Sequence, residues 1–217
     1  MTKTGVAARP TLDIEPETFL ETLEMYQKPI IVGVIAVAVA VGSIWMWRRS
    51  VEIRETRAAE AYVAAEAAFG AGNTQLAQPE LERVLERYAG TTAGTQSAML
   101  LAQVLYDQGK FADGVTRLET ALGKAPEALR PGLLSLMANG QEGAGESKKA
   151  AESFEKAAAA ATFEIDRDQL RMSAARNHLA AGDSASARAI YESIASRDDS
   201  EFAGEARVRL GEITIKE

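Results

Sequence analysis

Four glycines set the frame of this chain. Gly72 (in GAGN), Gly109 (DQGK), Gly145 (GAGE) and Gly182 (AAGD) stand 37, 36 and 37 residues apart. The residues around them repeat by size. Seven positions before each glycine comes Ala65, Ala102, Ala138 or Ala175, and five after comes Ala77, Gly114, Ala150 or Ala187. Nine after stands a large residue, Leu81, Leu118, Phe154 or Tyr191, and twelve after a medium one, Val84, Ala121, Ala157 or Ile194. A period of this length marks an array of supersecondary units, each unable to bury its apolar face without its neighbours.

The order small, small, large, medium has a packing explanation. Two antiparallel helices approach closely only where side chains are small, so each helix of a pair places one Ala or Gly at the crossing. The large residue one turn later fills the space toward the next pair. The glycine supplies the turn, where a positive φ ends the first helix. The chain after Val51 is rich in alanine and has helical periodicity, as in Ala98, Leu101, Ala102 and Leu105, with no convincing strand. The expectation is an all-α domain over 52–217: four antiparallel helix pairs plus a closing helix, from about 52 to 214. That helix shows Phe202, Ala206, Leu210 and Ile213 on one face, covering the last pair.

The pattern resembles the tetratricopeptide repeat. The stretch AMLLAQVLYDQGKFADGVTRLETALGKAP carries Gly109, Phe111, Leu118, Ala121 and Pro126 in matching slots. It departs from that repeat in a period longer by two or three residues, in lacking the usual aromatic near the start of the first helix, and in having Ala for the usual Gly at the first crossing.

Ahead of the repeats runs PIIVGVIAVAVAVGSIWMWRR. Ile30 to Trp47 are 18 residues without a charge, which as a helix reach about 27 Å, close to the thickness of a bilayer's hydrocarbon core. Trp45 and Trp47 mark one interface, and Arg48 and Arg49 stop the run. The preceding residues are largely acidic and no small-residue cleavage site follows, so the run is expected to be an uncleaved single transmembrane helix over 29–47. Ala36 and Ala40, and Ala38 and Gly42, stand four apart and permit close approach of a second helix. Residues 15–28 read as an amphipathic lead helix with Phe19, Leu20, Leu23 and Tyr26 on one face, and 1–14 as a disordered tail.

The search for chemistry excludes more than it finds. The chain has no cysteine and a net charge of −7, which removes thiolate nucleophiles and Cys-type zinc sites and disfavours a nucleic-acid partner. The one histidine, His178, reads as a packing residue. GQEGAGES (Gly140 to Ser147) has Glu146 where a phosphate loop requires lysine, at a turn between helices. DRD (Asp166 to Asp168) and RDDSE (Arg197 to Glu201) lack calcium-loop spacing and read as solvated linkers. No enzyme, metal or cofactor is expected. A partner groove is expected along the first helix of each pair, six and three residues before each glycine: Glu66 and Phe69, Gln103 and Tyr106, Asn139 and Glu142, Arg176 and Leu179.

In layout, a short acidic lead, one span ending in Trp and Arg, then alanine-rich repeats, the chain resembles the ancillary SecYEG translocon subunit family. That resemblance implies a bacterial inner-membrane protein with a cytoplasmic N-terminus and periplasmic repeats. It implies a non-catalytic adaptor that binds the Sec translocon and helps hand exported proteins to periplasmic chaperones. The flanking charges point the other way: Lys28 on the amino side against Arg48, Arg49, Arg54 and Arg57 on the carboxy side lean toward repeats in the cytoplasm, as a scaffold of a membrane complex.

Overall fold

The computed structural model describes the backbone of residues 16–216 and the side chains of 31–213. The expected tail over 1–14 and the apolar face of the lead segment lie outside the described residues. Two compact units divide between Val51 and Glu52. Helix α1 runs from Pro16 to Gly70, taking in the lead segment and the apolar run as one helix. It contains an 18-residue window of mean hydropathy 1.9 in which no residue is buried, and among the described helices it alone is long and apolar enough to cross a membrane.

In the second unit the last part of α1 is followed by α2 (Thr74–Arg87), α3 (Thr92–Asp107), α4 (Phe111–Leu122), α5 (Arg130–Gly143), α6 (Ser147–Ala160), α7 (Glu164–Ala180), α8 (Ser184–Ala195) and α9 (Ala203–Lys216), with a single 3₁₀ turn at Glu127–Leu129. From α2 onward each helix packs on the next, and α3 also touches α5. No strand occurs among the described residues.

The four turns are built alike. Gly72, Gly109, Gly145 and Gly182 have φ of 76°, 74°, 77° and 81°. At each, the glycine N–H donates three residues back, as from Gly109 to Tyr106 O (2.8 Å), and the next N–H donates five back, as from Lys110 to Leu105 O (2.8 Å). The same pair of bonds occurs at Gly72, Gly145 and Gly182. This double bond caps a helix around a left-handed residue, a conformation that glycine adopts without a Cβ penalty. The first and fourth turns add a side-chain cap for the following helix: Asn73 Oδ1 accepts from Leu76 N, and Asp183 Oδ1 from Ser186 N.

All sixteen slot residues are buried. The close crossing is explicit in the second pair, where a Cβ on Gly114 would stand 3.2 Å from Ala102 O and would collide with the Tyr106 ring. Leu81, Leu101, Leu118 and Leu133 are fully enclosed in one core cluster, where each burial contributes about 1.5–3 kcal/mol. Tyr191 and Ile194 anchor a second cluster that includes Ala206 and Ile213 of α9, with Phe202 and Leu210 packed against it, so the closing helix covers the fourth pair.

The connections between pairs follow no common pattern. Gly90, with φ 84°, turns the chain between α2 and α3, and Pro126 leads into the 3₁₀ turn before α5. Of the two acidic stretches read as solvated linkers, RDDSE lies in the connection between α8 and α9 with Asp198, Asp199 and Glu201 exposed, whereas the reading of DRD is corrected. Asp168 lies inside α7 and is 2% exposed. Its carboxylate accepts hydrogen bonds from Arg197 and from Ser200 Oγ, the latter at 2.7 Å, and Arg197 also bonds Glu164. A buried carboxylate needs such partners. The stretch therefore ties α7 to the connection before α9.

Candidate partner groove

Helices α5 and α7 are the first members of consecutive pairs, and both contact α6, which lies between them in sequence. Their amino-terminal halves line a groove of about 460 Å³. Ser135 and Asn139 come from α5, Asp166, Gln169, Leu170 and Ser173 from α7, and Phe154 of α6 also borders it. The α7 positions recur at three and four residues, which puts them on one helix face. Phe163, just before α7, is 67% exposed at the groove. Glu142 and Asn177, farther along the two helices, meet through an amide-to-carboxylate hydrogen bond of 3.3 Å.

The eight residues expected in a partner groove fall into separate settings. Asn139 lines the groove. Glu66, Gln103, Glu142 and Arg176 are exposed, with Glu66 accepting from Tyr62 (3.1 Å) and Arg176 donating to Ser173 Oγ (3.1 Å). Phe69 is half-buried, and Leu179 packs against the second core cluster. Tyr106 is turned between pairs. Its hydroxyl donates to Leu136 O at 3.2 Å, and its ring lies 5.6 Å from that of Phe111. Burial pushes its hydroxyl up from 10.0 to about 12.

Phe163, Asp166, Gln169, Leu170 and Ser173 were not anticipated. They lie one or more turns farther from the glycine than the slots chosen from the repeat. Stepping back from Asn139 and Arg176 by three and four residues leads to Ser135, Ser173, Gln169 and Asp166, so the face was legible once extended toward the helix starts.

His178 is enclosed by α6 and the turn before α8. Its Nε2 lies 3.0 Å from Glu155 Oε1 and its Nδ1 3.4 Å from Asp183 Oδ2. The Asp183 carboxyl is held below its usual range by the hydrogen bonds with Ser186, with His178 adding to the effect. No group of three potential metal ligands occurs among the described residues.

Paired helices with glycine turns and small-residue crossings define a tetratricopeptide-like helical repeat. Residues 23–137 match the tetratricopeptide repeat-like domain family, and the chain belongs to it. The match takes in the apolar run as well as the first two helix pairs. Among solved structures, the chain is similar to a Podosopora anserina putative kinesin light chain with nearly identical TPR-like repeats. That likeness is 19% identical, covers 73% of this chain and 86% of that one, and has a TM-score of 0.57. A single-substitution form of the same fungal protein gives 19%, 73%, 85% and 0.56. No curated protein matches the chain significantly.

Proposed function

We propose that the chain is a membrane-anchored, non-catalytic adaptor that binds proteins along the first helices of its repeats. The groove between α5 and α7 carries the reading, because it leaves side chains of two adjacent first helices open to a partner. Grooves of parallel helices take extended peptides or partner helices. The anchor is 29–47: Val32, Val37, Val41 and Trp47 are all at least 60% exposed, and a surface of that kind is stable in lipid rather than water.

The finer assignment follows the resemblance in layout: a bacterial inner-membrane protein with periplasmic repeats, associated with the Sec translocon and with passing exported proteins to chaperones. The supporting order of parts is an acidic lead, a span ending in Trp and Arg, and divergent repeats. The second reading, a scaffold facing the cytoplasm, is favoured by Arg48, Arg49, Arg54 and Arg57 on the repeat side of the span. A reporter that works on only one side of the membrane, fused after Glu217, decides. Activity restricted to the periplasm supports the translocon reading, and activity restricted to the cytoplasm replaces it with the scaffold. A fraction of the full chain that stays in salt-washed supernatant would overturn the anchor.

A further inference from the structure

We propose that the α5–α7 groove is selective for a partner segment carrying a lysine or arginine beside large apolar side chains. The inference rests on the adaptor reading and narrows it to one peptide chemistry.

The first observation is charge. Asp166 is the only ionisable side chain that lines the groove. The nearby acids are already engaged, Glu164 and Asp168 with Arg197 and Glu142 with Asn177. Asp166 is exposed and forms no hydrogen bond or ion pair through its carboxylate among the described residues. Asp166 is therefore the one charge in the groove lining itself, with Arg167 and Arg176 held beside it on Ala161 O and Ser173 Oγ, and a carboxylate at that place attracts a cation and repels an anion.

The second observation is Phe163. It stands three residues before Asp166, at the start of α7, lines the same groove and is 67% exposed. A lysine or arginine that pairs with Asp166 can place its alkyl stem and charge on this ring. One partner residue then satisfies both features.

The remaining surface suits an extended chain with apolar side chains. Leu170 and Phe154 give the groove its apolar lining, and Asn139 and Gln169 bring amides able to bond a peptide backbone. Its volume falls within the about 300–1,000 Å³ of sites that enclose ligands.

The test uses the full chain in lipid nanodiscs and three labelled peptides in a Gly-Ser frame, with cores Leu-Lys-Leu, Leu-Glu-Leu and Ser-Lys-Ser, followed by fluorescence anisotropy. The expected result is saturable binding of the Leu-Lys-Leu peptide, weaker by about tenfold or more for each of the other two. Asp166→Lys should reverse the preference between lysine and glutamate cores, and Phe163→Ser should weaken the Leu-Lys-Leu peptide several-fold. Both side chains are exposed, and unchanged circular dichroism verifies that the fold is kept. Equal affinity for lysine and glutamate cores, or binding indifferent to Asp166→Lys, overturns the selectivity while leaving the adaptor reading intact. No binding of any peptide overturns both. A concentration-dependent dimer that is broken by Phe163→Ser and excludes the peptide assigns the groove to a second copy of the chain instead.

Discussion

The Tyr106 hydroxyl occupies the space that a side chain on Gly140 would need: a Cβ built on Gly140 would collide with it. The tyrosine comes from the second helix pair and the glycine from the third, so this contact sets how closely two repeats stack. The ring cannot easily retreat. It faces Phe111 on one side, covers Gly114, and its hydroxyl is held by Leu136 O. Gly140→Ala should therefore cost about 1–3 kcal/mol through overpacking. Adding Tyr106→Ala should remove most of that penalty. Denaturant unfolding of the single and double variants measures it, and additive losses would show that the two residues do not share the space.

Tyr106 also makes alkaline stability testable. Burial raises its hydroxyl to about 12, and burial together with Glu66 raises Tyr62 to about 12, both from 10.0. Each folded value lies above the unfolded one. The stabilisation is complete below pH 10.0 and is lost as pH climbs toward 12. Melting temperature should fall through that window, and Tyr106→Phe should shed part of the fall. A wild-type profile that Tyr106→Phe leaves unchanged would contradict this.

The first crossing slot gives a second packing test. Ala102 is fully buried, and its carbonyl faces Gly114 of the next helix. Ala102→Leu should destabilise the domain by about 1–3 kcal/mol. A melting temperature equal to the wild type's would remove Ala102 from the crossing.

Arg197 neutralises a carboxylate that is 2% exposed. Removing a partner of a buried charge typically costs about 3–5 kcal/mol, and the lower end applies because Arg197 is itself 28% exposed and Ser200 still donates to Asp168. Arg197→Ala should loosen α9 first, read as faster amide exchange in Ala203–Lys216 than in α3. Uniform exchange in both helices would show that the ion pair does not secure the closing helix.

The contrast between Gly109 and Asp168 shows how far the sequence could be read. Gly109 recurs at a fixed offset from small residues, and a repeat forces the same geometry each time, so the turns, the crossings and the closing helix are legible in the sequence. Asp168 recurs nowhere. Its burial depends on Arg197, 29 residues away in a connection without a repeat pattern, and local composition alone made it look solvated. The groove stands between these cases. Its face was set by helical periodicity, but its position along α5 and α7 depends on where the helices part, which the slots nearest the glycines do not reveal.

The central claim is that partners meet the first-helix face of the repeats. It is tested most directly by placing a photo-crosslinking residue at Gln169, in the groove, at Lys148, exposed on α6, or within 15–28, each in the full chain in its native membranes. The account predicts protein adducts from Gln169 that an excess of the Leu-Lys-Leu peptide suppresses, with few from Lys148. Adducts from 15–28 alone, with none from Gln169, would contradict it and move the binding site from the repeats to the membrane segment.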